Sequence, residues 1–152
     1  MTTLVKINLR VNSIAFAHKG DIPPKYTCEG ENINPPLEVG NIPSKTKTLA
    51  IIMEDPDATR GVFDHWIVWN IPPNEAIDEN NVPGIMGKNG WGKTGYGGPC
   101  PPSGRHRYFF KIFALDTSLP LKEGSDKTLL MDAMKDHILA TGELMGHYKK
   151  NK

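Results

Sequence analysis

No apolar run in this chain is longer than Leu49–Met53, far too short to cross a bilayer as a helix. The N-terminus offers no signal peptide either, because Lys6, Asn8 and Arg10 interrupt its apolar residues. Charge of one sign is equally scarce. A formal net charge of +1 over 152 residues gives no reason to expect nucleic acid or an anionic membrane surface as partner. Only two cysteines occur, Cys28 and Cys100, with none of the spacings of a metal knot. They are expected as buried or half-buried thiols, and whether they pair is left open because pairing depends on Cα separation in the fold. A soluble, cytoplasmic protein is the resulting expectation.

Glycine and proline are abundant instead, 15 and 13 residues, while apolar residues make up 38%. That balance disfavours a helical bundle and suits many short elements joined by ordered loops, in one domain spanning 1–152. Val5, Ile7, Leu9 and Val11 alternate with polar residues, the pattern of a half-buried strand. Residues 20–43 are rich in turn residues yet too apolar for a linker, which predicts an ordered, irregular excursion. Thr48–Glu54 reads as a buried central strand and His65–Ile71 as a second, each stopped by proline. Residues 83–102 form a long glycine-rich loop, and His106–Leu115 alternates as a further strand. The one predicted helix covers 126–140, capped by Ser125 or Asp126 and carrying Leu130, Met134 and Ile138 on one face. Gly142 should end it, with Glu143–Tyr148 returning as a last strand.

The stretch Gly97-Gly98-Pro99-Cys100-Pro101-Pro102-Ser103-Gly104-Arg105-His106-Arg107-Tyr108 organises the rest. Its first half is a stiff loop that neither helix nor ladder can absorb. Its second half starts a strand in which His106 and Tyr108 share a face. Two more polar clusters sit at predicted strand ends. Asp55-Pro56-Asp57 would lean two carboxylates the same way in extended backbone, and His65 would share a face with Ile67 and Trp69. Each cluster alone is better explained as a turn or a hydrogen-bonded core histidine. Converging at one sheet edge, they could bind a small anion, hold a metal or run acid–base chemistry. In the anion reading the imidazoles donate, the carboxylates orient and charge them, and the N–H groups of Gly97 and Gly98 add donors. Affinity should then weaken above about pH 7.

Two formal matches fail on context. Residues 87–94 satisfy Gly-x-x-x-x-Gly-Lys-Thr, but Thr94 leads into glycines and prolines where a phosphate-binding loop needs a helix. Ser103 lies in Pro-Ser-Gly, which is no nucleophile elbow, and a surface turn is expected there.

Taken as an ordered set, the motifs resemble the phosphatidylethanolamine-binding protein family, in its compact bacterial and archaeal branch of Raf kinase inhibitor-like proteins. They are Tyr26-Thr27-Cys28-Glu29-Gly30, Pro35-Pro36-Leu37, Asp55-Pro56-Asp57-Ala58, Asp64-His65-Trp66 to Asn70-Ile71-Pro72, Gly95 to Pro102, and Gly104 to Tyr108. The resemblance implies a mainly β fold, a central antiparallel sheet packed on a smaller one with a C-terminal helix and short peripheral helices. It also implies a preformed pocket for phosphate-like groups, phosphorylethanolamine head groups included, lined by Asp55, Asp57, His65, Gly98, Pro101, His106 and Tyr108. No cofactor, metal or catalytic residue is implied; members act by binding, as regulators of kinases, proteases or development, and their compact forms suit a homodimer. Thr59-Arg60 departs from the family's Asp-Pro-Asp-Ala-Pro, and Val39 stands where a tryptophan is common.

The expectation is therefore a non-enzymatic binder of a phosphate-type anion, regulating a protein partner such as a protease or kinase. Two alternatives are a serine-protease inhibitor acting through a surface loop and a metal-dependent hydrolase using the His/Asp cluster.

Overall fold

The computed structural model describes residues 7–151, in two facing β-sheets, one α-helix and a short 3-10 turn. In chain order the strands are β1 (Ile7–Asn8), β2 (Arg10–Asn12), β3 (Leu37–Gly40), β4 (Thr48–Asp55), β5 (Phe63–Ile71), β6 (Ala76–Ile77), β7 (Ile85–Met86), β8 (His106–Leu115) and β9 (Ile138–Tyr148), with α1 (Lys127–Met134) between the last two. The larger sheet has the order β1-β9-β8-β4-β5-β7, antiparallel except where β1 runs parallel to β9. The smaller sheet is β2-β3-β6, antiparallel throughout.

Both faces of the larger sheet are covered, which is why β4 and β5 read as continuous apolar runs rather than alternating ones. One face carries Ile51, Met53, Trp66, Val68, Phe110 and Ile112 into a core shared with Val11, Leu37, Val39 and Ile77 of the smaller sheet. Val39 is 1% exposed, filling that core where the family commonly has a tryptophan. The opposite face carries Ala50, Ile52, Ile67 and Trp69 against Leu130 and Met134 of α1.

Three expectations are corrected. The N-terminal strand is divided at Leu9, with β1 on the edge of one sheet and β2 in the other; Val5 lies outside the described residues. Leu9 donates its N–H to Thr141 O at 2.8 Å as the chain crosses between sheets. The helix is shorter than predicted. Asp126 caps it by accepting from the Leu129 N–H at 3.0 Å, but it ends at Met134. Lys135 leaves the helical conformation, with ψ 134°, and Asp136 takes the left-handed φ of 69°, which a short polar side chain tolerates. Ile138 then opens β9 instead of a third helical turn. The reason is the ladder: β9 pairs with β8 over the whole span from His106–Tyr148 to Leu115–Ile138, satisfying backbone groups that a longer helix would leave unpaired. Gly142, expected to stop the helix, sits inside β9, where any Cβ would lie 2.4 Å from the Leu9 carbonyl oxygen.

Residues 20–43 are ordered as expected, with a 3-10 turn at Pro24–Tyr26 and then β3. The glycine-rich loop contains β7 and a bridge between Lys88 and Thr94. Residues 87–94 thus close on themselves with no helix after them, as the rejection of the phosphate-loop match requires.

Candidate functional site

Three strand ends meet at one edge of the larger sheet: the C-terminus of β4, bearing Asp55, and the N-termini of β5 and β8, bearing His65, His106 and Tyr108. Asp55, Arg60, His65, His106 and Tyr108 line one cavity of about 290 Å³. The shared face of His106 and Tyr108 follows from strand alternation, and both are buried. His65 arrives differently. The β4–β5 register slips between Met53–Trp66 and Glu54–Asp64, so two residues of β5 oppose one of β4. This bulge takes His65 off the face of Ile67 and Trp69, where alternation alone had put it. Its ring instead meets Tyr108, Trp91 and Phe63 edge-on, with centroids 5.2, 5.1 and 5.2 Å away.

Each imidazole is anchored through Nδ1. His106 Nδ1 is 2.7 Å from Asp55 Oδ2, and Asp55 Oδ1 accepts the Asp57 N–H at 2.7 Å. Asp55 is 3% exposed, so this carboxylate is fixed from both oxygens in a water-poor setting. His65 Nδ1 lies 2.7 Å from the Gly97 carbonyl oxygen. Because a carbonyl only accepts, Nδ1 of His65 carries the proton and Nε2 is the ring's remaining position. Burial pushes the His65 imidazolium down, with the Gly97 carbonyl and the Asp55 charge opposing it only in part. His65 is therefore a neutral group at ordinary pH. The Tyr108 hydroxyl is buried and has no partner in hydrogen-bonding geometry among the described residues. Burial above all, with the Asp55 charge, drives its phenol far up, so it stays protonated.

The other predicted residues fall elsewhere. Asp57 does not lean with Asp55, because Pro56 and Asp57 form a turn rather than extended chain. Its carboxylate accepts from the Arg107 backbone N–H, Nε and NH2, each at 2.9 Å. The Arg107 bonds hold its pKa down at about 2. Pro101 lines the cavity, whereas Gly98 borders a neighbouring one of about 480 Å³. The glycine N–H groups are not free donors: Gly97 donates to His65 O at 3.0 Å and Gly98 to Asn32 Oδ1 at 2.8 Å. Gly98 matters for closeness, since a Cβ there would come within 2.2 Å of the Tyr26 carbonyl oxygen. Cys28 and Cys100 are not thiols but a disulfide, their Cα atoms 5.5 Å apart. The bond ties the 24–32 segment to the loop that carries Gly97 and Pro101. Two further contacts share the task, Cys28 N–H to Pro99 O at 3.1 Å and Tyr96 hydroxyl to Tyr26 O at 2.7 Å. Ser103 is exposed and outside the cavity, as expected of a turn serine.

Phe63, Trp91 and Arg60 complete the walls and were not read as site residues from sequence. Trp91 left a signal: a tryptophan in a glycine-rich loop needs something to pack on, and here it meets Phe63 at 4.6 Å and His65. Among the described residues no three His, Cys, Asp or Glu side chains converge closely enough to hold a metal ion. No helix among them is long and apolar enough to cross a membrane.

Fold and site together define a two-sheet β protein with a preformed, histidine-bearing pocket at the edge of its larger sheet. The family model described as phosphatidylethanolamine-binding protein matches residues 12–149, and the chain belongs to that family. A UPF0098 protein of Methanothermobacter thermautotrophicus is 45% identical over 152 residues, covering 95% of this chain and 99% of the relative. One from Pyrococcus horikoshii is 46% identical, covering 95% and 78%. Among solved structures, a putative phosphatidylethanolamine-binding protein homologue of Chlamydia trachomatis superposes with a TM-score of 0.92 at 40% identity, covering 96% of this chain and all of that one. YbcL of E. coli, described as a member of the mammalian family, gives 0.86 at 29% identity, covering 95% and 99%.

Proposed function

We propose that this protein binds a phosphate-type oxyanion, free or as a monoester, between His65 and His106, and acts by binding rather than catalysis. The observation that carries the reading is the anchoring of both buried imidazoles through Nδ1 in one small cavity. Their Nε2 atoms are thereby left as the polar positions for a ligand. Tyr108 adds a buried hydroxyl, near the Asp55 carboxylate and the Cys100 backbone but in hydrogen-bonding geometry with neither, that can donate to a ligand acceptor. Nothing in the lining supplies an activated nucleophile: the Cys100 sulfur is committed to the disulfide and Ser103 lies outside. Among the described residues no three-ligand cluster lends support to a metal-dependent hydrolase. Regulation of a protease or kinase partner, and a cytoplasmic location, are parts of the same proposal. The location carries a condition, because a disulfide persists in cytosol chiefly in disulfide-tolerant hyperthermophiles.

Proton count governs affinity in this site. Two neutral imidazoles each present a lone pair at Nε2, so an anion needs at least one proton at the contact. The Tyr108 O–H is one donor at that contact; His65 resists supplying a second, which leaves His106, held against Asp55, or a hydroxyl of the phosphate itself. Titration of the five imidazole signals with inorganic phosphate tests the reading by NMR. Shifts confined to two rings, assigned by substitution to His65 and His106, are expected; movement of neither ring, or equal movement of all five, would sink it.

A further inference from the structure

Every charged side chain around the cavity is already bonded to another except one. Asp55 and His106 are joined Oδ2 to Nδ1 at 2.7 Å, so the pair is neutral with the imidazole protonated and negative without it. His65 is held neutral by burial. Asp57, just outside, is closed against Arg107 by its backbone and guanidinium bonds. That leaves Arg60, which lines the cavity, is exposed, and makes no side-chain hydrogen bond or ion pair among the described residues. It is the one cation of the lining whose charge nothing has already neutralised.

An organic phosphate in this pocket faces two demands. Its phosphoryl oxygens need positive charge, and its organic arm needs a way out along the walls. Those walls are Phe63, Trp91, Pro101 and Pro102, along which an uncharged arm can lie and whose two aromatic rings offer an ammonium only a cation–π contact. The lining's only carboxylate is Asp55, buried and already bonded at both oxygens. An ammonium on the arm would thus lose water without gaining a carboxylate, and would meet Arg60 at the rim. A guanidinium is also the cation whose fork of donors fits a phosphate edge.

We propose that Arg60 sets the charge selectivity of this pocket: it favours phosphate monoesters whose organic arm is uncharged and disfavours those whose arm bears an ammonium, the phosphorylethanolamine type included. This rests on the oxyanion reading above and narrows it. Arg60 follows directly on Thr59, the position where this chain departs from the family's Asp-Pro-Asp-Ala-Pro.

An isosteric pair isolates the charge. Propyl phosphate and phosphorylethanolamine differ only by a terminal methyl in place of an ammonium. Affinities of both, with inorganic phosphate as the armless control, are measured for the wild type, Arg60→Gln and Arg60→Lys. The histidine ring signals serve as readout and the amide spectrum as a check of fold. An exposed charge at contact distance is worth up to about fivefold in binding. Wild type should prefer propyl phosphate by roughly that factor. Arg60→Gln should bring the two esters to within about twofold of each other, and Arg60→Lys should keep most of the preference. A preference unchanged in Arg60→Gln, or wild type binding phosphorylethanolamine as tightly as its isostere, overturns the assignment while leaving the oxyanion site intact. If inorganic phosphate moves neither His65 nor His106 in wild type, the oxyanion reading itself falls, and this inference with it.

Discussion

Asp55→Asn is expected to weaken inorganic phosphate binding by at least tenfold at pH 6, with the protein still folded. The substitution is isosteric, so packing around the 3%-exposed side chain is kept. What changes is the partner of His106. A carboxylate accepts from Nδ1–H and stabilises a proton on Nε2 as well. The asparagine oxygen can still accept the Asp57 N–H, but its amide then faces His106 as a donor. That fixes the neutral tautomer and removes the imidazolium from the site. Hydrogen bonds to charged groups are worth about 1.5–3 kcal/mol, which corresponds to about ten- to over a hundredfold in affinity. The pH dependence should flatten too, because the neutral Nε2–H tautomer donates whatever the pH. Calorimetric titration at pH 6 and 8 checks both. His106→Ala should already remove the group through which Asp55 acts, so adding Asp55→Asn to it should cost little more; equal and additive losses would mean that Asp55 acts independently of the histidine.

Removing the disulfide should have the largest effect on stability. Cys28 and Cys100 are 72 residues apart in sequence, so their bond closes a long loop in the unfolded chain. Such cross-links contribute typically about 2–4 kcal/mol. For a domain of this size that is roughly 4–16 °C in Tm. The double variant Cys28→Ser/Cys100→Ser should melt lower by about this much. It should also bind phosphate more weakly, since the bond steadies the loop whose Gly97 carbonyl sets the His65 tautomer. Thermal melts and phosphate titrations of the two proteins read both effects. An unchanged Tm would show that the surrounding bonds, Cys28 to Pro99 and Tyr96 to Tyr26, hold the loop without it.

Much of this arrangement was legible in sequence. β8 has the predicted bounds, His106–Leu115, because strict alternation next to a loop that can pair with nothing leaves little freedom. The two-sheet architecture came with the family motifs, not with the alternation. What sequence did not reveal depends on the relation between segments. The bulge that turns His65 toward Tyr108 is a count of residues on β5 against β4, and no single strand contains that count. Asp57 was assigned an extended backbone that Pro56 turns aside, and its carboxylate went to Arg107, a residue fifty positions away. The helix lost its last turns to β9 because a ten-residue β8 needed a partner along its full length. Gly97 and Gly98 were read as donors to a ligand, but their N–H groups are taken within the protein and they serve as places of close approach, for Trp91 and His65 at Gly97 and for Asn32 and Tyr26 at Gly98. The thiols that became a disulfide are the same kind of case, distance in space from residues distant in sequence.

The central claim is that an oxyanion sits between His65 and His106. Crystals grown with tungstate, a heavy tetrahedral analogue of phosphate, test it by anomalous scattering. The account predicts one strong peak in the cavity, with tungstate oxygens at hydrogen-bonding distance from Nε2 of both rings and from the Tyr108 hydroxyl. A cavity holding only water at saturating tungstate, or a peak seated on surface lysines instead, would contradict it.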